Sequence, residues 1–309
     1  MRLKSRLTAL LMGACLAMAL SPSGAAAQES GRFRVTVTGF LVNHETVESA
    51  ILRDGRGDEV FVLANFAELL AGNRLLGAIQ ARKSLIFGDT DGRPGPVRAI
   101  GVELEHLPPH WMVQAGSMGP HGGLQAGDRF PDPAQPVPPI PSDALPQDRG
   151  RFLPMVLWEG ELRRGGPTAN AIVLLPTIWE NDNATEMLDV WMRQAPSFLR
   201  TFAASSDGFI TGRRPRPLIE RVDRVLDTIP KHNDFDRPIG LDGEPYNPLA
   251  ASPGSATFVP AVMLLTFTSA QEAANSNTTG RGVVEITYRD GARYGPGSYT
   301  IFLRVERLP

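Results

Sequence analysis

Residues 298–307 read Ser-Tyr-Thr-Ile-Phe-Leu-Arg-Val-Glu-Arg, and this run decides the fold class. Tyr299, Ile301, Leu303 and Val305 fall on one side of an extended chain, while Thr300, Arg304 and Glu306 fall on the other. A repeat of two marks a strand with one buried face and one wet face. Residues 33–38 repeat the pattern near the other end, with Phe33, Val35 and Val37 against Arg34, Thr36 and Thr38. Further strands are expected at 59–65, 84–87, 97–104, 155–162, 170–179, 256–268 and 282–288, separated by Gly, Pro, Asn and Asp turns. Short strands punctuated in this way predict a mainly β protein, an antiparallel β-sandwich with a few helical insertions.

Two helices are expected among the strands. One runs over 184–193 and stops near Pro196; the other covers 217–229, where Ile219, Val222, Leu226 and Ile229 share a face. Residues 108–154 form a proline-rich connector. Pro131, Pro133, Pro136, Pro138, Pro139 and Pro141 remove backbone donors there and favour extended chain. The connector divides a β-rich part at 28–107 from a second, with helices, at 155–309; one composite domain and two packed ones both fit.

The amino-terminal residues read as an export signal. Arg2, Lys4 and Arg6 precede an apolar run from Leu7 to Leu20, and Ala25-Ala26-Ala27 supplies small residues for cleavage before Gln28. The run is shorter than the roughly 20 helical residues that a hydrocarbon core requires, so residues 1–27 read as a signal peptide. The expected address is the periplasm or the cell exterior, with no transmembrane segment in the mature chain. Cys15 lies inside the signal, which leaves the mature chain without a disulfide, a thiolate ligand or a thiol nucleophile. Losing the three basic residues moves the formal charge from −2 to −5, and that acidity argues against nucleic acid as a partner.

Carboxylates gather in the turns. Asp54, Asp58 and Glu59 surround the start of the strand expected at 59–65, and Asp89 and Asp91 lie between Gly88 and Gly92. Glu180 and Asp182 follow Trp179, Asp234 and Asp236 precede Arg237, and Asp290 begins the turn between the last two strands. Calcium takes roughly six to eight oxygen ligands, so Asp54, Asp58, Glu59, Asp89, Asp91, Glu180, Asp182, Asp234 and Asp236 are the calcium candidates. Turns need the same residue types, and none of these loops carries the full EF-hand spacing.

Trp179-Glu180-Asn181-Asp182 after an aliphatic strand, and residues 298–305 after a glycine-rich turn, resemble the C2-like calcium-dependent β-sandwich proteins. The resemblance covers scattered short segments. It implies calcium held between loops at one end of the sandwich, and attachment to a surface. The chain departs from that family in lacking paired Asp-x-Asp loops at both expected places.

Other chemistry-bearing residues form no complete motif. His106 and His110 have the spacing of a helical zinc pair, but Pro108 and Pro109 between them prevent an ordinary helix, so they and His121 read as loop residues. Gly116-Ser117-Met118-Gly119 falls short of a nucleophile elbow. Arg213, Arg214 and Arg216 read as a solvated turn, and the tryptophans Trp111, Trp158, Trp179 and Trp191 as core. The expected function is that of an exported, non-enzymatic binding or structural protein, steadied by calcium, with a surface, glycan or protein as ligand. The alternative is a secreted hydrolase whose site assembles only in three dimensions.

Overall fold

The computed structural model describes residues 28–46, 57–72, 74–88, 98–100, 113–114, 123–131, 149–181, 186–212, 218–221, 236–243, 256–291 and 295–309. The chain is mainly β, with two antiparallel sheets packed against each other. The first sheet is built on β1 (Ser30–His44), which pairs with the last strand, β16 (Ser298–Arg307), over most of its length. β16 in turn pairs with β15 (Val283–Arg289). The other edge of β1 is shared by β8 (Met155–Arg163) and the short β7 (Arg129–Phe130).

The second sheet is centred on β2 (Val60–Leu70) and β9 (Asn170–Glu180), paired from Val60↔Glu180 to Leu70↔Asn170. β3 (Arg74–Lys83) and β4 (Ile86–Phe87) flank β2, and β5 (Arg98–Ile100) and β6 (Val113–Gln114) continue the sheet. On the other side of β9 lie β14 (Ala261–Thr266) and β11 (Arg237–Pro238), with β10 (Ile219–Arg221) beyond β14. β12 (Leu241–Gly243) and β13 (Ala256–Phe258) make a separate pair. Each large sheet takes strands from both sides of the proline-rich connector, whose described residues supply β6 and β7.

The period-two reading holds where it is strongest. Phe33, Val35, Val37, Tyr299, Ile301, Leu303 and Val305 are all buried. Beyond Val37 the register shifts at a bulge, so Phe40 and Val42 point inward instead of residues 39 and 41. Gly39 belongs at that bulge for a steric reason: a Cβ on it would stand 1.9 Å from the Phe130 carbonyl oxygen.

Helix α1 (Glu186–Ser205) covers the outer face of the second sheet, against β2 and β3. Met187, Trp191, Ala195 and Leu199 recur every fourth residue and are buried. The Trp191 indole N–H donates to Asn65 Oδ1 at 2.7 Å, and the ring meets Trp179 edge-on at 6.1 Å. The expectation of a helix ending near Pro196 is therefore corrected, since Pro196 lies inside α1. Apolar packing on both sides of the proline outweighs the missing backbone bond.

Three further corrections concern local pattern against tertiary pairing. Ile219 belongs to strand β10, paired with Met263, rather than to a helix; Val222, Leu226 and Ile229 lie outside the described residues. The strand expected through residue 268 ends at Thr266, which caps helix α3 (Phe267–Asn275) in a reciprocal Thr266–Ser269 capping box. β3 went unread because most of its residues are exposed and carry no alternation. A short helix, α2 (Asp207–Ile210), follows α1.

Candidate functional site

A cluster of acids, one arginine and two hydroxyls lies between the sheets, and the backbone fixes each member. Asp58 stands just ahead of β2, its N–H donating to the Leu124 carbonyl at 2.9 Å and its carbonyl accepting from the Leu124 N–H at 2.8 Å. The strands at this bridge cross so closely that a Cβ on Gly123 would lie 2.1 Å from the Gly57 carbonyl oxygen. Glycine is required there, at φ 79°. Thr46 follows β1, Glu180 ends β9, Arg237 opens β11, and Tyr299 belongs to the inward face of β16.

The side chains then form a continuous network. Tyr299 donates its hydroxyl to Asp58 Oδ2 at 2.5 Å, and the Thr46 backbone N–H donates to the same oxygen at 2.8 Å. The Thr46 hydroxyl lies 2.8 Å from Asp58 Oδ1 and also against Glu180 Oε1. Arg237 pairs with Glu180 Oε2 at 2.7 Å and with Asp290 Oδ2 at 3.0 Å. Asp290 Oδ1 accepts from the backbone N–H groups of Gly240 at 2.7 Å and Leu241 at 3.0 Å. Every carboxylate oxygen of Asp58, Glu180 and Asp290 thus meets a protein partner.

Burial sets the electrostatics. Asp58 is 5% exposed, Glu180 4%, Arg237 1% and Tyr299 0%. Loss of water, followed by the charge of Glu180, pushes the Asp58 carboxyl up to about 8, against the opposing hydrogen bonds from Tyr299 and Thr46. Burial, with the Asp58 charge added, also holds the Tyr299 phenol well above its ordinary value. Nearby, the Lys83 ammonium lies 3.5 Å from the centre of the Phe61 ring. Burial pulls it down to about 8, with Asp236 opposing and Arg151 adding to the effect.

The structure brings some of the sequence candidates together. Asp58 and Glu180 meet through Thr46, and Asp236 is buried beside Arg237. Glu59 is partly buried, and its backbone carbonyl accepts from the Asn181 N–H at 2.7 Å. Asp54, Asp89, Asp91, Asp182 and Asp234 lie outside the described residues, as do His106, His110, His121, Ser117 and Arg213–Arg216. Among the described residues no three His, Cys, Asp or Glu side chains are grouped to hold a metal ion. Sequence reasoning missed Thr46 and gave Arg237 and Tyr299 no role. A phenol on an otherwise aliphatic inward face was the available signal, because a buried Tyr hydroxyl needs a partner.

Away from the cluster, an open cavity of about 480 Å³ lies beside the β8–β9 turn. Its lining mixes apolar Phe209, Ile210, Leu264 and Phe267 with polar Arg163, Arg164 and Glu272. The two arginines pair with Glu161 at 2.6 Å and Glu29 at 2.9 Å. Neither Asp58, Glu180, Arg237 nor Tyr299 lines it.

Fold and cluster together define an antiparallel two-sheet β protein with an internally paired ionic core. Comparison with protein-family models, curated proteins and solved structures found no match. Among the described residues no helix is long and apolar enough to cross a membrane.

Proposed function

We propose that this is a non-enzymatic binding protein of the periplasm or cell exterior, whose acid cluster holds the fold and whose ligand occupies the cavity beside the β8–β9 turn. The observation that carries the reading is the separation of the two features. A catalytic acid or base must reach its substrate. Asp58, Glu180 and Tyr299 are buried, bonded to one another's neighbours, and line no part of the cavity. The cavity has the size of a small-molecule site, and its lining mixes apolar with polar side chains. The export address rests on residues 1–27.

Calcium is not part of this reading, because Asp58 and Glu180 already direct their oxygens at Thr46, Tyr299 and Arg237. NMR of the labelled protein with a panel of small aromatic carboxylates tests the proposal. Saturable shifts centred on Ile210 and Phe267 are expected. Absence of shifts there contradicts the cavity assignment. Turnover of ester or glycoside reporters that Asp58→Asn or Glu180→Gln abolishes supports the hydrolase instead.

A further inference from the structure

Building on the cavity beside the β8–β9 turn as the ligand site, we infer that its ligand is a zwitterion. An α-amino acid or short peptide with an apolar side chain fits, its carboxylate meeting Arg163 and Arg164 and its ammonium meeting Glu272. Three parts of the fold form the walls. The end of β8 brings Arg163 and Arg164, α2 brings Phe209 and Ile210, and the junction of β14 with α3 brings Leu264, Phe267 and Glu272. These walls are tied to the body of the protein. Asp207 of α2 accepts from the Gly72 N–H at 2.6 Å, and the Phe267 ring meets Phe33 edge-on at 6.0 Å. Ile210, Leu264 and Phe267 line the cavity and are otherwise buried, so an apolar group of the ligand that covers them leaves water.

Polar recognition falls to the charged groups, because the hydroxyls of the wall already bond to the protein. Thr211 Oγ1 donates to the Asp207 carbonyl at 2.8 Å, and Ser269 Oγ to the Leu264 carbonyl at 3.1 Å. Thr266 Oγ1 belongs to the α3 cap. Arg163 uses Nε and Nη2 on Glu161, and Arg164 uses Nη1 on Glu29. A guanidinium carries more N–H donors than these bonds use. Arg163 Nη1 and Arg164 Nε and Nη2 therefore have no acceptor among the described residues, and a carboxylate can take them. Both existing ion pairs are exposed and contribute little, so a ligand rearranges them at small cost.

Charge balance decides against a plain anion. Two arginines stand against three glutamates, Glu29, Glu161 and Glu272, in a chain that is itself acidic. A carboxylate alone adds to that excess. Glu272 forms no ion pair among the described residues, and an ammonium beside it restores the balance. A molecule that carries both groups uses both ends of the site.

The test compares ligands that differ by one group, read from the Ile210 and Phe267 NMR signals of the full chain. Phenylalanine should bind more tightly than hydrocinnamate, which lacks the ammonium, and than phenethylamine, which lacks the carboxylate, by roughly tenfold each. Phenylalanyl-alanine against its N-acetyl derivative makes the first comparison for a short peptide, and the tighter zwitterion names the source. Glu272→Gln should erase the margin over hydrocinnamate; Glu272 is exposed, so the fold survives the change. Hydrocinnamate or phenethylamine binding as well as phenylalanine, with the peptide pair level too, overturns the zwitterion while the cavity assignment stands. So does a margin that persists in Glu272→Gln. If no compound moves the Ile210 and Phe267 signals, the cavity assignment fails and the zwitterion with it.

Discussion

Tyr299 and Asp58 are 241 residues apart in sequence and 2.5 Å apart in space, hydroxyl to carboxyl. One belongs to the last strand of the first sheet, the other leads into the central strand of the second. Their bond, with the Thr46–Glu180–Arg237–Asp290 chain behind it, crosses from one sheet to the other. A second tyrosine does the same nearby: Tyr288 of β15 donates to the Pro176 carbonyl of β9 at 2.6 Å. The inter-sheet space is therefore apolar along most of its length and polar at one end.

Arg237 pairs with two buried acids at once, Glu180 and Asp290. Arg237→Met should destabilise the protein by about 3–5 kcal/mol, because it removes the guanidinium paired with the buried carboxylates of Glu180 and Asp290. Urea unfolding at pH 7 measures this, and a loss no larger than that of an ordinary surface substitution contradicts it.

Trp191 docks α1. Trp191→Ala should cost about 3–5 kcal/mol from the lost volume, with the Asn65 carbonyl left short of its donor. The same unfolding experiment reads the loss, and circular dichroism should report weakened helix signal ahead of strand signal.

Removal of the chain after Gly280 deletes β15 and β16, taking Tyr288, Asp290 and Tyr299 with them. β1 then loses its longest partner, and the truncated chain should show no cooperative unfolding transition. A cooperative melt would mean that the second sheet folds alone.

Where local pattern and final environment coincide, the sequence was readable. Residues 298–307 alternate because one face meets the core, and β16 has those bounds. β9 reads as an aliphatic run because both its faces are buried along its whole length. Pro196 misled, since its cost in an isolated helix is real but smaller than the burial of Trp191, Ala195 and Leu199 around it. Of the site, Asp58 and Glu180 stood out as turn acids, while their partnership did not. Thr46 and Tyr299 reach Asp58 only after the sheets have formed, and no spacing in the chain encodes that meeting. Nor does any spacing announce that Glu180 pairs with Arg237 across two strands.

The most direct measurement is the urea-unfolding free energy of the protein and of Asp58→Asn at several pH values from 5 to 6.5, below the range in which Lys83 titrates. An acid near 8 when folded and near 3.8 when unfolded stays protonated in the folded state while the unfolded chain ionises, so stability is full at low pH and falls as pH rises through this window. Wild-type stability should decline by up to about 1.4 kcal/mol per pH unit, and Asp58→Asn should remove that decline. Equal slopes for the two proteins, or a wild-type stability that rises with pH where Asp58→Asn is flat, would show Asp58 to be ionised in the fold and contradict the account.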